Sequence, residues 1–288
     1  RLKRLKKQKR MGLIPKNTVL TPRPKNIPAW DSLSKEKQNE MDAIMATYAG
    51  MIDRVDQNIG KVVRHLEQTG ELENTIIFFL SDNGAEAETG PLGQFEFKNL
   101  GIYGKGGNKY GKGWATLSNT PFREYKHFTH QGGVQTPLII HWPKGIPREK
   151  QKHIIPQFGY LPDIVETCLD LAKAQRPRIK NGKVVPKGDG VSLLKTLRGS
   201  KEQLRNKPFF IEHEGNRIAR EGKWKLVSYF NKPWELFDLD VDLSESTDLA
   251  ERHPNIVDRL DSGYSKWAKR VGVIDWEVSR NYSVYRSK

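Results

Sequence analysis

The longest regular pattern in the sequence is an apolar stripe at helical spacing between residues 34 and 70. Its members lie three, four or one positions apart, as on one side of a helix. They are Met41, Ile44, Met45, Tyr48, Ile52, Val55, Ile59, Val62 and Leu66. Ser34 suits the N-cap position and Gly70 suits the residue that ends a helix, so the pattern predicts one long amphipathic helix.

Two uncharged apolar runs follow this helix. Residues 75–80 read Thr-Ile-Ile-Phe-Phe-Leu, and residues 134–142 are also mainly apolar. β-Branched and aromatic runs without polar alternation predict strands buried on both faces, as in a parallel sheet under helices. A helical apolar face then includes Cys168, which predicts a thiol in the core. Helix and strand patterns in this order predict an α/β fold.

The last third of the chain has a different pattern. Short alternating runs at 208–212, 217–220, 224–229 and 234–239 have turn residues between them and predict an antiparallel sheet. Ile256, Leu260, Tyr264, Trp267 and Ala268 predict an amphipathic helix after the sheet. We therefore divide the chain into a basic helix tail with a proline-rich connector (1–30), an α/β segment (31–200) and a small α+β subdomain (201–288).

Charge is concentrated at one end of the chain. The net charge is +15, and residues 1–30 hold ten Lys or Arg and no acidic residue. Such an arm can bind a polyanion or be a solvated helix surface. One cysteine excludes an intramolecular disulfide framework, and no apolar run reaches the length of a membrane span. The chain starts without Met inside a helical pattern, so we expect it to be part of a longer protein.

Candidate chemistry lies directly after the first strand. Asp82 and Asn83 precede Gly84 at the end of that strand, where open α/β sheets bind ligands. Their hard oxygens suit Ca²⁺ or Mg²⁺, although Asp-Asn-Gly is also common turn chemistry. Lys126 stands before Gly132-Gly133, which leads into the second strand, and its ammonium group could reach an anion above the strand ends.

These stretches together resemble the type I sulfatases of the alkaline-phosphatase-like superfamily. The run from Gly113 to Pro143 and the segment His213-Glu214-Gly215-Asn216-Arg217 are similar to bacterial arylsulfatases, and the likeness covers essentially the whole chain. The resemblance implies part of a mostly parallel sheet flanked by helices. It also implies a small C-terminal α+β subdomain with an antiparallel sheet and a terminal helix.

The resemblance also implies roles for single residues. Asp82 and Asn83 would bind Ca²⁺, with Mg²⁺ the less suitable ion, and Lys126 would contact the sulfate group. His213 and His130 are candidates for the substrate pocket, and His127 also flanks Lys126; a histidine bonded within the sheet is the alternative for His213. The implied partner is a sulfate ester, either an aryl sulfate or a sulfated glycan, and no specific nucleic acid. The implied location is periplasmic or secreted.

Two departures from the family pattern change the expectation. Gln131 stands where the family usually has Glu. We expect this neutral side chain to weaken a contact that orients the residues of the site. The formylglycine motif Cys/Ser-x-Pro-x-Arg is missing: Cys168 precedes Leu-Asp-Leu, and Asn119 precedes Thr-Pro-Phe-Arg. We therefore expect the C-terminal portion of a sulfatase, inactive alone, with its formylglycine in an N-terminal half. The alternatives are a phosphoesterase or phosphonate hydrolase of the same superfamily, and a non-catalytic polyanion-binding module.

Overall fold

The computed structural model of the chain describes residues 1–102 and 108–286. The α-helices are α1 Leu2–Arg10, α2 Lys35–Gln68, α3 Gly111–Ser118, α4 Gln131–Val134, α5 Leu161–Leu171, α6 Leu194–Leu197, α7 Pro254–Val271 and α8 Trp276–Arg286. The strands are β1 Ile77–Leu80, β2 Leu138–His141, β3 Ile179–Lys180, β4 Lys183–Val184, β5 Phe209–His213, β6 Asn216–Glu221, β7 Trp224–Ser228 and β8 Glu235–Asp238. No helix in these two ranges is both long and apolar enough to cross a membrane.

The chain forms two compact units, and each is discontinuous in sequence. The first unit contains Arg1–Asp56, Asn83–Thr136 and Pro208–Lys288. The second unit contains Gln57–Asp82 and Pro137–Lys207. The three segments proposed from the sequence, with boundaries near residues 30 and 200, remain a prediction.

Helix α2 confirms the prediction from the apolar stripe. The backbone N–H of Lys37 donates to Ser34 Oγ at 3.2 Å, which is an N-cap hydrogen bond. Burial, however, is confined to the first part of the stripe. Met41 and Ile44 are buried, whereas the stripe members Ile52, Val55 and Val62 are exposed. Their spacing shows that the helix is amphipathic, but spacing does not show which part of it is covered.

In the second unit the strands are less buried than the sequence predicts. β1 and β2 pair antiparallel, from Ile77 opposite His141 to Leu80 opposite Leu138. The sequence predicts part of a mostly parallel sheet here, whereas the described residues form this antiparallel pair of β1 and β2. Phe79 is 45% exposed and Ile139 is 58% exposed, so the prediction of burial on both faces is wrong for these residues.

Helix α5 corrects the prediction for Cys168, whose thiol is exposed. The side chains that α5 buries are polar, Asp163 and Thr167. Asp163 pairs with Arg205 at 2.5 Å and accepts the backbone N–H groups of Tyr160 and Val191. These hydrogen bonds satisfy a buried carboxylate, which would otherwise be costly, and they determine which side of the helix faces inward.

In the first unit the predicted antiparallel sheet is confirmed, with strand order β5-β6-β7-β8. The predicted terminal helix α7 packs on one face of the sheet, where Leu226, Leu236 and Leu260 are almost fully buried. Each such leucine contributes roughly 1.5–3 kcal/mol by leaving water. Lys225, the neighbour of Leu226, is also fully buried, and side chains alternate across a strand. The sheet is therefore covered on both faces in this part.

The basic arm uses part of its charge inside the first unit. Leu5 of α1 is buried. Arg1 donates to the carbonyl of Thr21 at 2.8 Å, and Arg4 donates to the carbonyl of Leu117 at 3.2 Å. These contacts fix α1 on the protein and leave other lysines of the arm exposed.

Candidate functional site

The predicted metal ligands directly follow strand β1. Asp82 is exposed and Asn83 is half-buried, in a bend of the chain that continues into Gly84. Gly84 donates its N–H to the carbonyl of Gly133 at 2.9 Å, and a Cβ built on Gly84 would lie 1.7 Å from the carbonyl oxygen of Gly132. Glycine is therefore required at position 84 because the backbones of two loops touch there.

Asn119 holds the same loops together with its side-chain amide. Its Nδ2 donates to the carbonyls of Glu124 at 3.0 Å and of Gly132 at 2.8 Å, and its Oδ1 accepts the N–H of Ala85 at 3.1 Å. One half-buried carboxamide thus fixes three backbone segments around residues 120–133, which we call the Lys126 loop. The role of Asn119 is to position this loop.

Lys126 lies in a cluster of charged side chains centred on Glu88. The carboxylate Oε1 of Glu88 is 2.8 Å from Lys126 Nζ, and Oε2 is 2.7 Å from Lys109 Nζ. Hydrogen bonds from Lys109 and Lys126 lower the pKa of Glu88 to about 2. The hydrogen bond to Glu88 in turn raises the pKa of Lys126 above its ordinary value. Both ammonium groups are therefore charged and directed at one anion.

His127 links this cluster to the turn between β5 and β6. Its Nε2 lies 3.1 Å from Glu88 Oε1, and its Nδ1 lies 2.9 Å from Glu214 Oε2. The ring stacks on His213, with 5.8 Å between the ring centroids. The structure therefore places His213, which is exposed, beside the residue that follows Lys126. The alternative of a buried histidine bonded within the sheet does not hold for His213.

His130 takes part in a different set of contacts. The residue is fully buried, and its Nε2 lies 3.1 Å from Glu235 Oε2 on β8. Glu235 also pairs with Arg123 at 3.1 Å, and Tyr229 packs against the His130 ring with 4.4 Å between centroids. These contacts attach the Lys126 loop to the sheet, which is a structural role; a role of His130 in substrate binding stays a prediction.

Gln131 completes the attachment of the loop to the sheet. Its Oε1 accepts a hydrogen bond from Lys225 Nζ at 2.9 Å, and its backbone N–H donates to Glu245 Oε2 at 2.7 Å. Lys225 and Glu245 form an ion pair at 2.5 Å in which both side chains are fully buried. Burial lowers the pKa of Lys225 to about 8. A neutral amide at position 131 therefore bonds to the ion pair without adding a second buried negative charge.

The sequence patterns missed two acidic residues of this site. Glu88 lies in a polar stretch without periodicity, and only the folded chain brings it to Lys126. Glu214 belongs to the segment that carried the resemblance, but nothing in the spacing connected it to His127, which is 87 positions away. A weak signal was present for Glu214: Glu-Gly occupies a two-residue hairpin turn where Asn-Gly or Gly-Gly is favoured.

Two family models match the chain. The Sulfatase model covers residues 19–174. The model described as N-sulphoglucosamine sulphohydrolase, C-terminal, covers residues 124–266. The residues described above, from Glu88 to Glu245, lie within one or both of these ranges.

Individual proteins extend the likeness to the whole chain. An uncharacterized sulfatase of Schizosaccharomyces pombe is 32% identical over an alignment of 312 positions, gaps included, which covers 99% of this chain and 55% of that protein. An arylsulfatase of Klebsiella aerogenes is 36% identical over 157 residues, which cover 50% of this chain and 33% of that protein. The chain therefore spans about half, or less, of the length of these curated relatives.

Solved structures share the fold. The crystal structure of Ps i-CgsB superposes with a TM-score of 0.58 at 23% identity, over 83% of this chain and 44% of that chain. A structural-genomics target from Bacteroides fragilis has a TM-score of 0.52 at 17% identity, over 93% of this chain and 50% of that chain. The fold predicted from the sequence, part of an alkaline-phosphatase-like domain with a C-terminal α+β subdomain, is thereby confirmed.

Proposed function

The chain belongs to the sulfatase family, and on this premise we propose that it supplies the sulfate-binding lysine of a sulfuric ester hydrolase. Its relatives include an arylsulfatase, N-acetylgalactosamine-6-sulfatases and a choline-sulfatase. The substrate we propose is a sulfate ester, either an aryl sulfate or a sulfated glycan.

The arrangement around Glu88 carries this proposal. The carboxylate of Glu88 shares its negative charge between two oxygens. Lys126 donates to one of them at 2.8 Å and Lys109 donates to the other at 2.7 Å. A sulfate ester also presents negatively charged oxygens, so the same ammonium groups can bind it. Lys126 is part-exposed, which leaves its Nζ accessible to a ligand.

The chemistry of sulfate ester hydrolysis explains why a lysine is useful here. Negative charge grows on the sulfate oxygens while sulfur is attacked, and a fixed ammonium group stabilises that charge more than it stabilises the ground state. Glu88 keeps Lys126 protonated, and the backbone contacts of Asn119 and the glycines hold the loop in place. Lys126 therefore needs little reorganisation during the reaction.

We further propose that Asp82 and Asn83 bind Ca²⁺. The donor types fit, since a carboxylate and a carboxamide oxygen are hard ligands at the end of β1. Ca²⁺ takes six to eight oxygens, so these two residues form only part of a ligand set. When bound, the ion would polarise a sulfate oxygen as a Lewis acid.

Kinetics of the complete protein test the proposal. Lys126→Ala should lower kcat on an aryl sulfate by about 10²–10³-fold, as expected for loss of one charge-stabilising donor. Lys144→Ala, on an exposed lysine of the second unit, is the matched control and should match the wild type. A Lys126→Ala enzyme within about threefold of wild type would contradict the assignment of Lys126.

Two further measurements distinguish the proposed sulfatase from the alternative functions. Rates on the paired aryl phosphate distinguish a sulfatase from a phosphoesterase, because the sulfatase should prefer the sulfate ester. The 288 residues expressed alone should give no turnover, since they contain no Cys/Ser-x-Pro-x-Arg sequence from which formylglycine is made. Turnover by this chain alone would show that another residue acts as the nucleophile.

A further inference from the structure

Two histidines and a carboxylate converge at the edge of the Lys126 loop, and the proposed sulfate and calcium sites leave them unassigned. His127, His213 and Glu214 each offer one ligand atom, and within the described residues these atoms lie within 4.8 Å of one another. We propose that they form a binding site for a divalent transition-metal ion of the Zn²⁺ type. The inference does not depend on the proposed function, because it rests on these side chains and is tested by metal binding.

One buried side chain fixes the two histidines relative to each other. Asn216 is buried, and its Nδ2 donates to the carbonyl of His127 at 3.2 Å and to the carbonyl of His213 at 3.0 Å. The two ligands are 86 positions apart in the sequence, yet a single carboxamide holds both of their backbones. The backbones of the two histidine ligands are therefore fixed relative to each other before an ion binds.

The outer contact of His127 is typical of a metal-bound histidine. Its Nε2 lies 3.1 Å from Glu88 Oε1, while its Nδ1 faces Glu214. Metal-ligating histidines usually donate the N–H of the second ring nitrogen to a carboxylate, which fixes the tautomer and the ring orientation. With the proton on Nε2, the Nδ1 lone pair of His127 is directed at the proposed site. Lys126 is a nearby cation, but its pairing with Glu88 offsets its charge.

The backbone is strained at two of the three ligands. His127 has φ +84° and Glu214 has φ +52°, a region that residues other than glycine seldom adopt. Glu214 and Gly215 form the turn between β5 and β6, where Asn or Gly is the favoured first residue. Such strain is typical of functional sites, where it places a particular side chain. Here it places a carboxylate against His127.

The donor set selects the class of ion. Two imidazole nitrogens and one carboxylate oxygen suit Zn²⁺, and also Cu²⁺ or Ni²⁺, whereas Ca²⁺ and Mg²⁺ prefer oxygen ligands throughout. Zinc bonds of about 2.0–2.1 Å require the donor atoms to approach by on the order of 1 Å. His213 is exposed, so its side chain can rotate to close that gap. Three protein ligands leave a coordination position open for water or another ligand.

Zinc titration of the complete protein tests this site. Protein stripped with EDTA is titrated with ZnCl₂ by calorimetry, with excess Ca²⁺ present to occupy sites made of oxygen ligands. The variants are His213→Ala and Glu214→Asn, and the matched control is His153→Ala, on an exposed histidine of the second unit. Asn-Gly is the favoured turn sequence, so Glu214→Asn removes the carboxylate while relieving the strain at position 214.

We expect the wild type and His153→Ala to bind one equivalent of Zn²⁺ that Ca²⁺ does not displace. His213→Ala and Glu214→Asn should bind that equivalent at least about tenfold more weakly, as for loss of a metal-site residue. Thermal unfolding of Glu214→Asn at or above the wild-type Tm shows that the loss is not due to unfolding. Equal zinc affinity in wild type and both variants overturns the proposal, as does displacement of the zinc by Ca²⁺.

Discussion

Replacing Lys225 by methionine should destabilise the first unit strongly, because the change leaves Glu245 as an unpaired charge in the interior. Both side chains are fully buried in a 2.5 Å ion pair, and the pair is bonded to Gln131. Removing one partner of a buried pair costs about 3–5 kcal/mol. Methionine has nearly the volume of lysine, so packing alone would predict a loss of less than about 1.5 kcal/mol.

The double variant Lys225→Met/Glu245→Gln separates the two explanations. The Glu245→Gln change keeps an acceptor for the backbone N–H of Gln131 and removes the buried charge. The new side-chain amide can also donate to Gln131 Oε1, which Lys225 no longer occupies. We therefore expect the double variant to recover most of the stability that Lys225→Met loses.

The assay is urea unfolding of the complete protein, followed by tryptophan fluorescence, to which Trp224 and Trp234 beside the sheet and α7 contribute. Equal stability of the single and the double variant, or a loss below about 1 kcal/mol in Lys225→Met, would refute the reasoning.

The same pair also predicts a pH dependence. The folded pKa of Lys225, about 8, lies below its usual value of 10.5, so the folded protein releases this proton first. The unfolded chain then binds more protons between about pH 8 and 10.5, and the contribution of Lys225 to stability increases with pH in that window, because the neutral amine avoids the cost of burying a charge and can still donate hydrogen bonds to Glu245 and Gln131, which methionine cannot. Lys225→Met should lack this increase, which is measured as the difference from wild type in unfolding free energy at pH 7.5 and pH 10.

Two smaller perturbations test the Lys126 loop. Gly133→Ala should lower Tm by an amount equivalent to about 1–3 kcal/mol, because the new Cβ would lie 1.9 Å from the carbonyl oxygen of Phe128. The control Gly50→Ala, in α2 with no atom within 4 Å, should raise Tm slightly, and a similar change in both variants would contradict the packing argument. Glu88→Gln should lower Tm by a constant amount between pH 8 and 5. The difference from wild type should shrink below pH 4.5, since the folded pKa of Glu88 is about 2 and its contribution is lost as the pH falls towards that value. A difference that stays unchanged down to pH 3 would show that the ion pairs of Glu88 add no stability.

Periodicity was sufficient to predict several of the regular elements of this protein, but not the short helix α3, the strands β3 and β4 or helix α8. Helix α2, the sheet β5-β6-β7-β8 and α7 lie where the apolar spacing placed them, and the sheet and α7 pack through the residues that carry the pattern. The burial of individual side chains could not be predicted from the sequence in the same way. The apolar runs containing Phe79 and Cys168 predicted a core, yet both residues are exposed, because burial depends on the elements packed against a strand or helix as well as on its own sequence.

The site was only partly predictable for a related reason. Proximity in sequence to Lys126 favoured His130, but α4 starts at the next residue and the His130 ring lies against Glu235 on β8. His127 and His213 meet through a turn that sequence spacing does not reveal. Charged partners such as Glu88 come from irregular loops, whose folded contacts have no period in the sequence. The sequence motifs therefore indicate the loop, whereas only the three-dimensional contacts show its partners.

The link between Gln131 and Glu245 also has a consequence for the order in which the chain acquires its structure. The two residues are 114 positions apart, and Lys225, the third member of the link, also follows the loop by 94 positions. A ribosome must release the chain beyond residue 245 before this part of the loop can reach its final contacts. Contacts this distant form slowly, so the loop that carries Lys126 should be among the last parts of the first unit to become ordered during synthesis. A nascent chain stalled before Glu245 would present Lys126 to solvent and to chaperones on an open loop.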